Sequence, residues 1–138
     1  MGISPKLLAA YKAARYVVYA DQEPVFSIGE HCPELDELLE AENSRCAAFI
    51  TAFNPHGLPA HADTNWGSTA RLMEYFDGLA YEVYIGESND PEGEWPYEPS
   101  FLVVGIPRAE AEALGRRFGQ LAIVYAEKGR APELVVLA

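Results

Sequence analysis

At 138 residues the chain has the length of one ordinary domain, and with 49% hydrophobic residues it can build a core without staples. Twenty-one acidic against ten basic residues give a net charge of −11, a field that repels nucleic-acid phosphates. Since no apolar run nears the roughly 20 residues that cross a bilayer, we expect one soluble domain over residues 1–138, with no nucleic-acid and no membrane partner.

The opening MGISPKLLAAYKAARYVVYA lacks the charged, apolar and small-residue regions of a secretory signal, and Lys6 breaks the myristoylation pattern behind Gly2. The expected location is therefore the cytoplasm. Cys32 and Cys46 form no CxxC pair and read as two reduced thiols, with Cys46 packed in a strand.

Ser4 followed by Pro5 predicts a helix start, because a hydroxyl can cap free N–H groups and proline has none to lose. Leu7, Leu8, Tyr11 and Ala14 then repeat at helical spacing and form its inner face. Tyr16–Tyr19 and Val25–Ile28 are rich in β-formers and flank an acidic turn, which predicts a hairpin. Pro33 opens a second helix with Leu35, Leu38 and Leu39 on one side and its carboxylates on the other. From Cys46 to about Phe53 the apolar residues do not alternate, so a strand buried on both faces, and hence central, is expected.

The following stretch, ITAFNPHGLPAHADTN, changes abruptly from strand to a loop of Asn, His, Pro and Gly. A third helix is predicted from about Asp63 or Thr64, capped by Asp63, with Leu72, Met73, Phe76 and Leu79 inward and Gly78 as its stop. Leu79–Ile85 alternates as a half-buried strand. GESNDPEGEWPYEP, residues 86–99, reads as a long acidic loop, and Phe101–Val104 as a buried strand. Pro107 starts a last helix carrying Ala111, Leu114 and Phe118 inward and ending at Gly119. Leu121–Tyr125 and Leu134–Leu137 complete the sheet. The pattern defines an α+β fold (mixed α/β layers): a central, mostly antiparallel or mixed sheet of about six to seven strands with about four helices packed on it.

Loops beyond strand ends hold polar groups on a rigid base, so Thr51, Asn54, His56 and Asn65 are candidates to line a site. Ordinary turn chemistry accounts for the same residues. His56, His61 and Asp63 come nearest to a metal set, but histidines five apart across a proline match no zinc spacing, and no metal is expected. Asp90, Glu92 and Glu94 lack the glycine and closing glutamate of a calcium loop and read as a solvated turn. Within that loop Trp95 and Glu98 stand apart: a carboxyl beside an indole and two prolines is a candidate for acid–base chemistry, or a tether that holds the loop closed. Ser100 lies in no nucleophile elbow, neither cysteine has a catalytic context, and no phosphate loop is present. Gln120, between the last helix and a strand, can reach the sheet edge carrying the Asn54 loop.

Four segments taken in order, FITAFNP from Phe49, then Asn65 with Arg71, then Trp95…Glu98…Ser100-Phe101-Leu102-Val103, and LGRRFGQLAIV from Leu114, are similar to a bacterial family, domain of unknown function 3293. The resemblance implies a stand-alone domain and no particular reaction or cofactor. Carried to this sequence, its pattern marks Thr51, Asn54, Asn65, Arg71, Trp95, Glu98, Ser100 and Gln120. The expectation is a pocket for a small polar ligand between the Asn54 loop, the Asn65–Arg71 helix and the Trp95–Ser100 segment. One alternative is an acidic docking surface at residues 84–97 for a basic protein. Another is purely structural roles, with Glu98 paired to Arg71 as a buried lock.

Overall fold

The computed structural model describes residues 2–138. Its elements follow in the order α1 (Pro5–Ala13), β1 (Arg15–Val18), β2 (Val25–Phe26), α2 (Pro33–Ala41), β3 (Cys46–Ile50), α3 (Ala62–Asp77), β4 (Glu82–Asn89), β5 (Glu98–Val104), α4 (Arg108–Arg117), β6 (Ala122–Glu127) and β7 (Glu133–Val136). The strands form one sheet in the order β2-β1-β4-β5-β3-β6-β7, with every neighbouring pair antiparallel. This is the α+β architecture the residue pattern predicts. Among the described residues no helix is long and apolar enough to cross a membrane.

Both faces of the sheet centre are covered, which explains why β3 does not alternate. Ala47 and Phe49 point to one side with Leu102, Val104, Val124 and Ala126, where α2 packs Leu35, Leu38 and Leu39. Ala48 and Ile50 point to the other with Phe101, Val103, Ile123 and Tyr125, where Leu72 and Phe76 of α3 and Ala111 and Leu114 of α4 pack. A fully buried leucine such as Leu39 or Leu72 contributes about 1.5–3 kcal/mol, so these two layers carry the fold.

Helix α1 departs from expectation. Ser4 caps it, accepting from the Leu7 N–H at 3.2 Å, but none of its residues is buried. Its Leu7 and Tyr11 face a hollow instead of the core. The Tyr16 hydroxyl donates to the Tyr11 carbonyl at 2.6 Å, satisfying one of the carbonyls a helix end leaves free.

Further differences concern the polar stretches. The α3 cap is His61, whose Nδ1 accepts from the Asp63 N–H at 3.3 Å, and Asp63 sits in the first turn. Met73 is exposed on that helix. β4 runs on to Asn89 and β5 begins at Glu98, so the acidic loop shrinks to residues 90–97. Asp90 builds that loop, its carboxylate accepting from the Glu92 and Glu94 N–H groups at 2.9 and 2.8 Å. The Gly29 N–H donates to the Pro132 carbonyl at 2.9 Å, linking the segment after β2 to the one before β7. Both cysteines are free thiols.

Candidate functional site

The register of the sheet places one polar row beside the α2-covered core. Ser88 pairs with both Tyr16 and Glu98, and Gly86 pairs with Ser100. Because side chains two apart share a face, Glu98 and Ser100 continue the face of Leu102, and Thr51 continues that of Phe49. These residues floor a cavity of about 680 Å³ at the sheet rim, beyond the reach of α2. One wall is α1, through Leu7, Ala10 and Tyr11; the other is the Asn54 loop with the start of α3.

The Asn54 loop is held by its own side chains. Thr51 Oγ1 donates to the Pro99 carbonyl at 2.7 Å and accepts from the Phe53 N–H at 3.1 Å, tying the end of β3 to the start of β5. Asn54 adopts the left-handed conformation (φ 48°, ψ 62°), which asparagine tolerates better than most residues. Its Oδ1 accepts from the Ala60 N–H at 3.0 Å and from Asn65 Nδ2 at 2.9 Å. Asn65, which is buried, returns a bond from the Asn54 N–H to its Oδ1 at 2.8 Å. Gln120 Nε2 donates to the Phe53 and Phe118 carbonyls at 3.1 and 3.4 Å.

Glu98 closes this network, its Oε2 accepting from Asn54 Nδ2 at 2.8 Å. Burial raises the carboxyl above its ordinary 4.5, and the Asn54 hydrogen bond opposes the rise. No basic side chain forms an ion pair with Glu98 among the described residues. Arg71 instead donates to Ser68 Oγ at 3.0 Å, so the Glu98–Arg71 lock is absent and one structural alternative is corrected. Tyr11 and Tyr16 line the same cavity, and burial together with the nearby carboxyl pushes the Tyr11 hydroxyl up to about 12.

Of the residues singled out from sequence, Thr51, Asn54, Asn65, Trp95, Glu98, Ser100 and Gln120 line this cavity. His56 and Arg71 do not; they line a second cleft with Arg116 and Arg117. Tyr11, Tyr16, Ser88 and Trp66 also line the cavity and were missed. Ser88 shares a sheet face with Tyr84 and Gly86, but Gly86-Glu87-Ser88-Asn89 has the composition of a turn, which hides the strand past Ile85.

The titration of Glu98 has a measurable sign. An acid raised in the folded state burdens that state once both forms are ionised. Stability linked to Glu98 is therefore full below about pH 4.5 and falls as pH rises through the higher folded value. Glu98→Gln keeps an oxygen for Asn54 Nδ2 and carries no charge. Its melting temperature is expected to fall less than that of the wild type between pH 4 and pH 8. Parallel pH profiles for the two proteins would show that Glu98 is not perturbed.

An antiparallel sheet with helices on both faces and a hollow at its rim defines an α+β protein whose polar loop residues are organised around one partly buried carboxyl. The model of the family described as "Protein of unknown function (DUF3293)" matches residues 50–123, and the chain belongs to this family. The matched span contains Asn54, Asn65, Glu98 and Gln120, the polar frame of the cavity. No curated protein and no solved structure matches the chain.

Proposed function

We propose that the protein binds a small ligand in the rim cavity, with Glu98 as its polar anchor. The observation that carries this reading is a carboxyl in the wall of a roughly 680 Å³ hollow that is bonded by Asn54 and, among the described residues, forms an ion pair with no basic side chain, although Lys6 also lines the hollow. Around it the lining is mostly aliphatic and aromatic, including Leu7, Phe49, Trp66 and Trp95. Ligand sites commonly combine apolar walls with a few placed polar groups. The ligand class that fits is an amphipathic molecule with an apolar body and one N–H or O–H donor. Asn54 and Asn65 support the anchor, because their amides are committed to each other and to Ala60. A carboxyl held above its usual range can also exchange a proton with that donor, which keeps Glu98 as the acid–base candidate.

N-phenyl-1-naphthylamine, a neutral apolar fluorophore with one N–H, tests the reading. Saturable one-to-one enhancement of its fluorescence is expected with the native chain. Ala10 lines the cavity from α1, where no residue belongs to the buried core, so Ala10→Trp fills the hollow from outside the core. That variant is expected to abolish the enhancement at unchanged melting temperature. Loss of a charge-assisted hydrogen bond in Glu98→Gln is expected to weaken uptake about tenfold. Enhancement that survives Ala10→Trp would end the proposal.

A docking role for residues 84–97 has narrower support. Ile85 and Tyr97 are exposed, as is Tyr19, whereas Tyr84 bonds Glu42 and Trp95 packs against the core.

A further inference from the structure

His56 and Arg71 lie in a cleft of about 600 Å³ that adjoins the rim cavity. The partition between the two is thin. Asn54 lines the cavity while Pro55 and His56 line the cleft, and Gln120 lines the cavity while Gly119 lines the cleft. The partition is fixed by the His56 N–H donating to the Gly119 carbonyl at 2.7 Å.

The cleft is the reverse of the molecule in charge. Overall there are ten basic residues against twenty-one acidic ones, yet Arg71, Arg116 and Arg117 meet here with a single wall carboxylate, Glu74. They come from two helices, α3 and the C-terminal turn of α4. Among the described residues Arg71 and Arg117 form no ion pair, and Arg116 reaches Glu112 only at 3.6 Å. Two of the three guanidiniums are held in place by neutral groups. Arg71 donates to Ser68, which is itself buried, and Arg117 lies over the Tyr75 ring at 5.5 Å from its centre. Such contacts orient a guanidinium and leave its charge uncompensated. Charges beyond a Debye length of about 8 Å are largely screened at physiological salt, so the groups lining the cleft, together with Glu112 beside Arg116, set its field.

We infer that this cleft is a binding site for a phosphate-bearing small molecule, with Arg71 and Arg117 as its principal ligands and Arg116 as a third. Planar forks match phosphate oxygens two at a time, and guanidiniums on two helices suit an anion with more than one charge. His56, Ser68 and Tyr75 are the other lining residues whose side chains can donate a hydrogen bond. The volume exceeds that of a single phosphate and accommodates a diphosphate or a phosphomonoester.

Pyrophosphate, inorganic phosphate and a sodium chloride control of matched ionic strength are titrated into the native chain and followed by calorimetry. Saturable pyrophosphate binding, tighter than that of inorganic phosphate and weakening with salt, is expected. Arg71→Gln and Arg117→Gln change exposed side chains and should fold normally. Each is expected to weaken pyrophosphate about tenfold, as the loss of a charge-assisted hydrogen bond implies. Arg130→Gln, an exposed change outside the cleft, and Glu98→Gln, inside the rim cavity, should leave binding unchanged. No heat beyond the chloride control overturns the inference. So does pyrophosphate binding that Arg71→Gln and Arg117→Gln leave intact, because the anion is then held elsewhere.

Discussion

Replacing Asn65 with Ala is expected to lower folding stability by about 2–4 kcal/mol, as measured by urea denaturation. The side chain is 5% exposed and joins three partners: the Asn54 N–H, Asn54 Oδ1 and the Ala60 carbonyl. Alanine gains helix propensity, but by less than about 0.7 kcal/mol. Asn54 Oδ1 keeps the Ala60 N–H, but the Asn54 N–H and the Ala60 carbonyl lose this partner, and each partly buried group left without a hydrogen bond costs about 1–3 kcal/mol, so the loss dominates. Asn65→Asp is the sharper experiment because the shape barely changes. It places a second oxygen where Nδ2 faced Asn54 Oδ1 and the Ala60 carbonyl. Asn54 cannot relieve this by turning its amide, since its Oδ1 accepts from the Ala60 N–H and its Nδ2 donates to Glu98. Asn65→Asp should therefore destabilise at least as much as Asn65→Ala at neutral pH. A near-neutral effect for both variants would mean that the loop is held by its backbone alone.

The second large effect is expected at Gly86. It lies inside β4, flanked by β1 and β5, and is buried. A methyl group there would overlap the Val17 carbonyl oxygen and stand 3.1 Å from the Phe49 ring. The first neighbour is backbone, so relief requires β1 and β4 to separate. Phe49 cannot yield easily, being packed edge-on against Tyr16 and Phe26. Gly86→Ala is expected to cost about 1–3 kcal/mol, the usual range for overpacking. Gly93→Ala provides contrast: its added methyl meets nothing within 4 Å, though the positive φ of 70° brings conformational strain. Thermal denaturation of the two variants separates clash from strain. A smaller loss at Gly86 than at Gly93 would show that the β1–β4 pair spreads at little cost.

Much of the fold is legible in the residues because hydrophobic spacing and punctuation agree. Leu35, Leu38 and Leu39 lie on the buried face of α2, Cys46–Ile50 forms an interior strand, and Pro5 and Pro33 stand at helix starts. The end of β4 is harder to read, since Glu87, Ser88 and Asn89 carry loop chemistry. Their strand role comes from pairing with β1 and β5, which composition does not express. Seven of the nine candidate ligand residues line one hollow, and the two others miss it for reasons that can be stated. Arg71 follows Asn65 by six residues, about 600° of helix, which leaves it roughly 120° around the axis. His56 misses because both it and Asn54 take positive φ values (62° and 48°), turning the loop over. Left-handed backbone at residues other than glycine is uncommon and gives only weak notice in a sequence.

The two ends of the sheet have a consequence for the company the chain keeps. β2 is two residues long and follows the fully buried Pro24; β7 is four residues long and follows the fully buried Pro132. Proline donates no amide, and strands this short offer an incoming peptide few rungs on which to build. Glu133, bound by Arg108, adds charge along the outer margin of β7. Zipping onto a neighbour edge to edge, the usual first step of β-aggregation, is thereby starved of a template.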